Sequence, residues 1–121
     1  MIYKLRKNTE FRLVYRRGKS YANKLLVLYV FNNKKNINEE NELYNKVGIS
    51  VSKKVGNSIV RHRVTRVIRE VMRLHWGEIK SGYDIVIVAR PSAKDSDYGK
   101  FESAIFHLLN LHHLLKDDDL E

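Results

Sequence analysis

At 121 residues the chain has room for one domain with a real core and too little for two. It contains no cysteine, which excludes a disulfide scaffold, a Cys-based zinc site and a cysteine nucleophile. No run of about 18 apolar residues is present, and the start MIYKLRKNTEF lacks the apolar stretch of a signal peptide, so a soluble cytoplasmic chain is expected. The net charge of +9 is segregated: residues 1–24 and 53–73 hold fifteen basic side chains against two acidic ones, whereas residues 74–121 hold five against nine. A surface tuned only for solubility mixes its signs, so segregation of this kind points to a polyanionic partner. An anionic membrane is the weaker reading, because no Trp or Phe anchors back the basic face.

Residues 8–17, NTEFRLVYRR, read as a short helix that starts on the capping residues Asn8 and Thr9 and stops at Gly18, a left-handed terminator. Phe11, Val14 and Tyr15 share one face of it. Both aromatics fit a core; flanked by Arg12, Arg16 and Arg17, they equally fit a platform on which unpaired bases stack. Residues 25–31, LLVLYVF, read as a buried strand, and the Asn/Glu-rich stretch 32–45 as a solvated, mobile loop. Residues 47–54, VGISVSKK, alternate: Val47, Ile49 and Val51 point to the core, and Gly48, Ser50, Ser52 and Lys54 to an open face.

Lys53 to Arg73 follows, with seven basic residues against Glu70. It reads as a helix over 58–74 capped by Asn57 or Ser58. At 100° per residue, Val60, Val64, Val67, Val71 and Leu74 form its buried stripe with Ile68 and Met72 at the margin. His62, Arg66, Arg69 and Arg73 lie on the far side, and Arg61 and Arg63 on opposite flanks. Like charges three and four apart cost a helix a few tenths of a kcal/mol per pair, a penalty that makes sense when a partner relieves it. Residues 84–90, DIVIVAR, form a further strand ended by Pro91, making a strand–helix–strand crossover with the strands parallel. Residues 98–115 read as a last amphipathic helix burying Phe101, Ala104, Ile105, Leu108 and Leu115, and 116–121 as a frayed acidic end whose final Leu-Glu has the look of a tag remnant.

The five histidines offer no i,i+4 pair and no carboxylate set for a metal; no phosphate loop, nucleophile elbow or dinucleotide glycine pattern occurs. By its residues the chain is a binder that lacks the ligands of an intrinsic nuclease.

The run SVSKKVGNSIVRHRVTRVIRE resembles the signature of the bacterial ribonuclease P protein subunit, and the likeness extends through NTEFRLVYRRGKSYAN, LLVLYV, VGISVSKK and DIVIVARP in the family's order. It implies an α+β domain across residues 1–121, similar to a ribosomal-protein-like two-layer domain, in the order helix–strand–strand–strand–helix–strand–helix. It also implies a left-handed crossover, where the pattern alone favours the usual right-handed one. The family protein joins a catalytic RNA that, with Mg²⁺ bound mainly by the RNA, removes the 5′ leader of precursor tRNA. The resemblance implies no catalytic residue and no metal held by the protein, which is expected to be monomeric when alone.

By the same resemblance Lys53, Asn57, Arg61, His62, Arg63, Arg66, Arg69 and Arg73 face the RNA subunit, the family's Arg-Asn-Arg falling on Arg61, His62 and Arg63. Gly56 completes the Lys-Lys-x-Gly-Asn approach to the helix. Phe11, Tyr15, Tyr29, Ser50, Ser52 and Lys54 line the leader cleft. His62 departs from the family's Asn, and Thr65 stands where Lys commonly precedes Arg66. A ribosomal-type RNA-binding or RNA-chaperone domain without a role in cleavage is the competing reading.

Overall fold

The computed structural model describes residues 3–116, which form a mixed α+β fold of three helices and one five-stranded sheet. In chain order these are β1 (Tyr3–Lys4), α1 (Asn8–Arg17), β2 (Lys19–Ala22), β3 (Leu26–Asn32), β4 (Lys46–Ser50), α2 (Ser58–His75), β5 (Tyr83–Ala89) and α3 (Tyr98–Leu111). The sheet runs β1-β4-β5-β3-β2; β5 pairs parallel with β4 and antiparallel with β3. The parallel pair joined through α2 is the crossover expected from two strands separated by the 58–74 helix. β2 supplies the third strand before α2, and β1 is an addition: two exposed residues among lysines carry no periodic signal.

Because side chains alternate across a strand, the sheet has two unlike faces. Leu26, Leu28 and Val30 of β3, Val47 of β4 and Ile85, Ile87 and Ala89 of β5 join Val64, Ile68, Val71 and Met72 of α2 and Phe101, Ile105, Leu108 and Leu109 of α3 in the main core. Among the described residues the opposite face is covered by α1 and by Leu5 just before it: Val14 seats on Val86 and Leu5, with Phe11, Tyr29, Phe31 and Val88 partly buried around them. Two helices close one side; a single ten-residue helix leaves much of the other open.

Several local expectations change. α1 is not capped by Asn8 or Thr9: the Glu10 carboxylate, one turn in, accepts the backbone N–H groups of Arg6 and Lys7, both at 3.0 Å, and also binds Lys46 Nζ of β4 at 3.1 Å. These donors hold the Glu10 carboxyl at about 2, the Lys7 backbone bond contributing most. Gly18 is extended (φ −76°, ψ 158°), not left-handed; it is needed because a Cβ there would sit 2.5 Å from the Val14 carbonyl oxygen and 3.0 Å from that of Val30. β4 ends at Ser50, so Ser52 and Lys54 lie in the turn leading to α2 instead of on the strand.

In α2 the buried line is Val64, Ile68, Val71 and Met72, one step round from the expected stripe. Leu74, expected inside, is 54% exposed. The reason is that α2 packs on two neighbours, the sheet and α3, so its apolar arc is rotated toward their junction. α3 stops at Leu111: His113 takes φ 57°, and the chain turns back with Leu115 bridging Ile79 and the Leu114 carbonyl accepting from Lys80 N at 2.7 Å.

The 32–45 segment is an ordered hairpin, not a loose loop. Asn33 and Asn36 donate side-chain N–H groups to the two oxygens of buried Asp84 at 2.9 and 2.8 Å, and Asn45 joins Lys80 O and Tyr83 N at 2.8 Å each. Its asparagines serve as backbone-like partners, which composition alone reads as solvation. The expected acidic end at 117–121, Leu-Glu included, lies outside the described residues.

Candidate nucleic-acid interface

The register collects the open-face residues into rows. Gly48, Val86, Tyr29 and Ser20 stand side by side across β4, β5, β3 and β2; Ser50, Val88, Val27 and Ala22 form the next row. Over the first row lies α1. Its Phe11 ring approaches Gly48 so closely that a Cβ there would meet ring carbons at 2.5 and 2.6 Å. Tyr15 turns its ring edge-on to Tyr29 at 4.9 Å and 82°, and lies 6.4 Å from Phe11. Tyr15 is 40% exposed while its neighbour Val14 is fully buried, so Val14 anchors the helix and Tyr15 is presented to solvent. Thus Phe11, Tyr15, Tyr29 and Ser50 come together as a polar-and-aromatic sheet face, and exposed Ser52 and Lys54 continue it at the end of β4.

α2 starts cleanly because the Asn57 side chain accepts from Val60 N at 3.0 Å. His62, Arg66, Arg69 and Arg73 are exposed along it, with Lys53, Lys54 and Asn57 ahead of its first turn. The cations are not equivalent. Arg73 is held by Glu70, at 3.0 Å from Nε and 2.5 Å from the terminal nitrogen. Arg63 is turned inward, donating to the carbonyls of Ser96, at 3.1 Å, and of Lys94. Arg61 keeps its Nε buried with no hydrogen-bond partner among the described residues. Thr65, in place of the family's Lys, bonds back to the Arg61 carbonyl at 2.8 Å and adds nothing to the exposed face. Arg69 lines a small cavity of about 130 Å³ together with Lys4, Phe11 and Gly48. The cationic helix face and the aromatic sheet face therefore meet at Arg69 and Phe11.

The far end of α2 is fixed by His75, whose Nδ1 lies 2.5 Å from Glu78 and whose Nε2 lies 2.7 Å from Glu102 of α3; Phe106 packs edge-on against the ring at 4.6 Å. The bond to Glu78, then that to Glu102, raise the imidazole above its ordinary 6.5, against burial. A raised folded-state pKa means that this clamp contributes fully below about pH 6.5 and is lost as pH rises through the folded-state value. The unfolding free energy is expected to fall as pH rises above about 6.5 by the worth of a partly exposed ion pair, about 0.2–1 kcal/mol, with the melting midpoint falling in step, and His75→Gln should flatten that slope. An identical slope in His75→Gln would assign the pH dependence elsewhere.

Sequence patterning missed Val86 and Val88, because DIVIVAR is apolar at every core and open-face position alike; only pairing shows which residues face α1. It also missed Lys4, placed beside Phe11 by β1 pairing with Lys46 and Val47. Among the described residues, no group of three or more His, Asp or Glu comes together to hold a metal ion, and no helix is long and apolar enough to cross a membrane.

Comparison with known proteins places this geometry. A ribonuclease P protein component of Clostridium botulinum is 53% identical over 119 residues, 98% of this chain and 95% of that one. One from Clostridium perfringens is 55% identical over 109 residues, 90% and 87% of the two chains. The solved RNase P protein of Staphylococcus aureus superposes with a TM-score of 0.83 at 34% identity, covering 96% of this chain and all of that one; the Thermotoga maritima protein gives 0.76 at 28%, covering 89% and 96%. With the ribonuclease P family model matching residues 2–112, the chain belongs to the ribonuclease P protein family.

Proposed function

We propose that this chain is the protein subunit of a ribonuclease P: it binds the RNA subunit through α2 and the 5′ leader of precursor tRNA on the open sheet face, and so assists leader removal in the cytoplasm. The observation that carries the reading is the junction at Arg69 and Phe11, where an exposed cationic helix adjoins a sheet face bearing partly solvent-facing aromatics. A structural face would be covered or purely polar; one with rings against a cationic flank suits single-stranded nucleic acid. A ribosomal-type RNA binder needs the helix but gives the aromatic face no task.

The chemistry is the RNA's. Mg²⁺ held by the RNA would polarise the scissile phosphate and its attacking water, and no metal-ligating cluster among the described residues fits such an ion. The chain's own part is positional. Lys53, Asn57, His62, Arg66 and Arg69 supply donors and charge to RNA phosphates, and Arg73 does so from its Glu70 pair. Arg63 serves chiefly by tying α2 to the segment before α3, and Arg61 from the flank. Phe11, Tyr15 and Tyr29 offer rings to leader bases, while Ser50, Ser52 and Lys54 hydrogen-bond its backbone.

Reconstitution with the RNA subunit and precursor tRNA at low magnesium tests the reading: leader cleavage should exceed that of RNA alone, and no gain would refute it. Arg66→Ala and Arg69→Ala are each expected to weaken RNA-subunit binding and lower the salt slope of log K by roughly one unit per lost phosphate contact. A binding titration across salt concentrations reads both, and an unchanged slope would remove those side chains from the phosphate contacts.

A further inference from the structure

Between α2 and the start of α3 lies an open pocket of about 300 Å³ lined by Arg63, Arg66, Val67, Glu70 and Tyr98. None of the residues expected to line the leader face touches it. Four features mark it as a built site. The Tyr98 ring is fixed through its hydroxyl, 3.2 Å from Glu102, which His75 also holds. Arg63 is fixed by the Ser96 and Lys94 carbonyls. Glu70 is fixed by Arg73. The Arg66 side chain, by contrast, has no hydrogen bond, ion pair or ring contact among the described residues. Three walls are thus preorganised and one cation waits for a partner.

The chemistry of the walls selects the occupant. Val67 gives an apolar floor and Tyr98 a ring for stacking. Glu70 repels a phosphate inside the pocket and accepts from N–H donors, while Arg66 at the mouth suits a phosphate just outside. A planar heterocycle with amino or imino donors on its edge and a phosphate on its backbone meets all four demands. We infer that the pocket seats one unstacked nucleobase of the RNA subunit, inserted between Tyr98 and Arg66 with its donor-bearing edge toward Glu70. The inference rests on the proposed RNA-binding role of α2 and extends that surface to α3, which no basic motif marks.

The test compares wild type, Tyr98→Phe and Tyr98→Leu for affinity to the RNA subunit over a salt series, with melting curves and chemical probing of Watson–Crick edges alongside. Stacking on an aromatic is lost in Tyr98→Leu, so affinity should fall about five- to hundredfold with the salt slope unchanged, while Tyr98→Phe, which loses the Glu102 bond but keeps the ring and its packing against the core, should retain most of the wild-type affinity. One unpaired nucleotide should be protected by wild type and Tyr98→Phe and exposed with Tyr98→Leu. Should Tyr98→Leu melt early, Arg66→Gln carries the probing comparison: it should lower the salt slope by about one unit, as any lost phosphate contact does, and should also expose that one nucleotide, which loss of a phosphate contact alone would leave protected. Tight wild-type binding with equal affinity and protection in the variants overturns the pocket alone; failure of wild type to bind the RNA subunit overturns the ribonuclease P reading and this inference with it.

Discussion

Gly18→Ala is expected to lower the unfolding free energy by about 1–3 kcal/mol, the range of overpacked sites. Two effects oppose each other. Gly18 lies in extended backbone that alanine adopts freely, so the substitution would stabilise by about 0.4–1 kcal/mol through the unfolded chain. The added Cβ, however, meets two backbone carbonyl oxygens, of Val14 at 2.5 Å and Val30 at 3.0 Å, and backbone cannot swing aside as a side chain does. The Val14 oxygen is also the acceptor for Gly18 N–H at 2.8 Å, so relief means lifting the end of α1 from β3. The clash wins. Urea unfolding should show a lower midpoint at unchanged slope, and Gly77→Ala, where nothing lies within 4 Å of the new Cβ, is the matched control. A Gly18→Ala midpoint equal to that of wild type would mean the α1–β3 joint is slack.

What patterning could and could not read follows from how each signal arises. α2 and its two flanking strands were legible because a one-sided helix, an alternating strand and a continuous apolar strand are direct imprints of burial; Val64, Val71, Val47 and the core-facing Ile85, Ile87 and Ala89 fell where expected. Leu74 failed because a helical wheel assumes one packing partner, and α2 has two. Gly18 was assigned a torsional role when its constraint is the approach of two backbone carbonyls, that of Val14 one turn back and that of Val30, twelve residues away in sequence. The asparagines at 33, 36 and 45 looked like solvent-seeking residues because nothing local shows that Asp84 and the Lys80–Tyr83 backbone await them.

The candidate site divides the same way. The cationic face of α2 is a helix-local property and was readable as charge, and the open face of β4 as alternation. What charge cannot show is which cations are already engaged: among the described residues the Arg63 and Arg73 side chains have partners and that of Arg66 has none, a distinction made by the segment before α3 and by Glu70. Phe11, Tyr15 and Tyr29 were named as a set only through the family resemblance, since their assembly depends on α1 crossing β3. Tyr98 carried no signal at all, being one aromatic at the start of an amphipathic helix.

Tyr15→Ala is expected to weaken binding of precursor tRNA to the reconstituted enzyme by about 1–3 kcal/mol while leaving binding of mature tRNA unchanged. Its structural cost should be smaller, about 0.5–1.5 kcal/mol for the edge-on pair with Tyr29 on top of the limited area it buries, because the ring is 40% exposed and fully buried Val14 anchors that part of α1. The two numbers separate the roles: a core residue would cost more in stability than in affinity, a platform residue the reverse. Phe11→Ala cannot separate them as well, since its ring fills the space above Gly48 and beside Leu5 and its loss opens a cavity. Stacking is not ionic, so the salt slope of leader binding should be the same in Tyr15→Ala as in wild type, unlike Arg69→Ala against the RNA subunit. Competition of precursor and mature tRNA for the enzyme reads the effect directly. A precursor-to-mature preference that survives Tyr15→Ala intact would take the leader off this face of the sheet, and a variant that simply melts would return Tyr15 to the core.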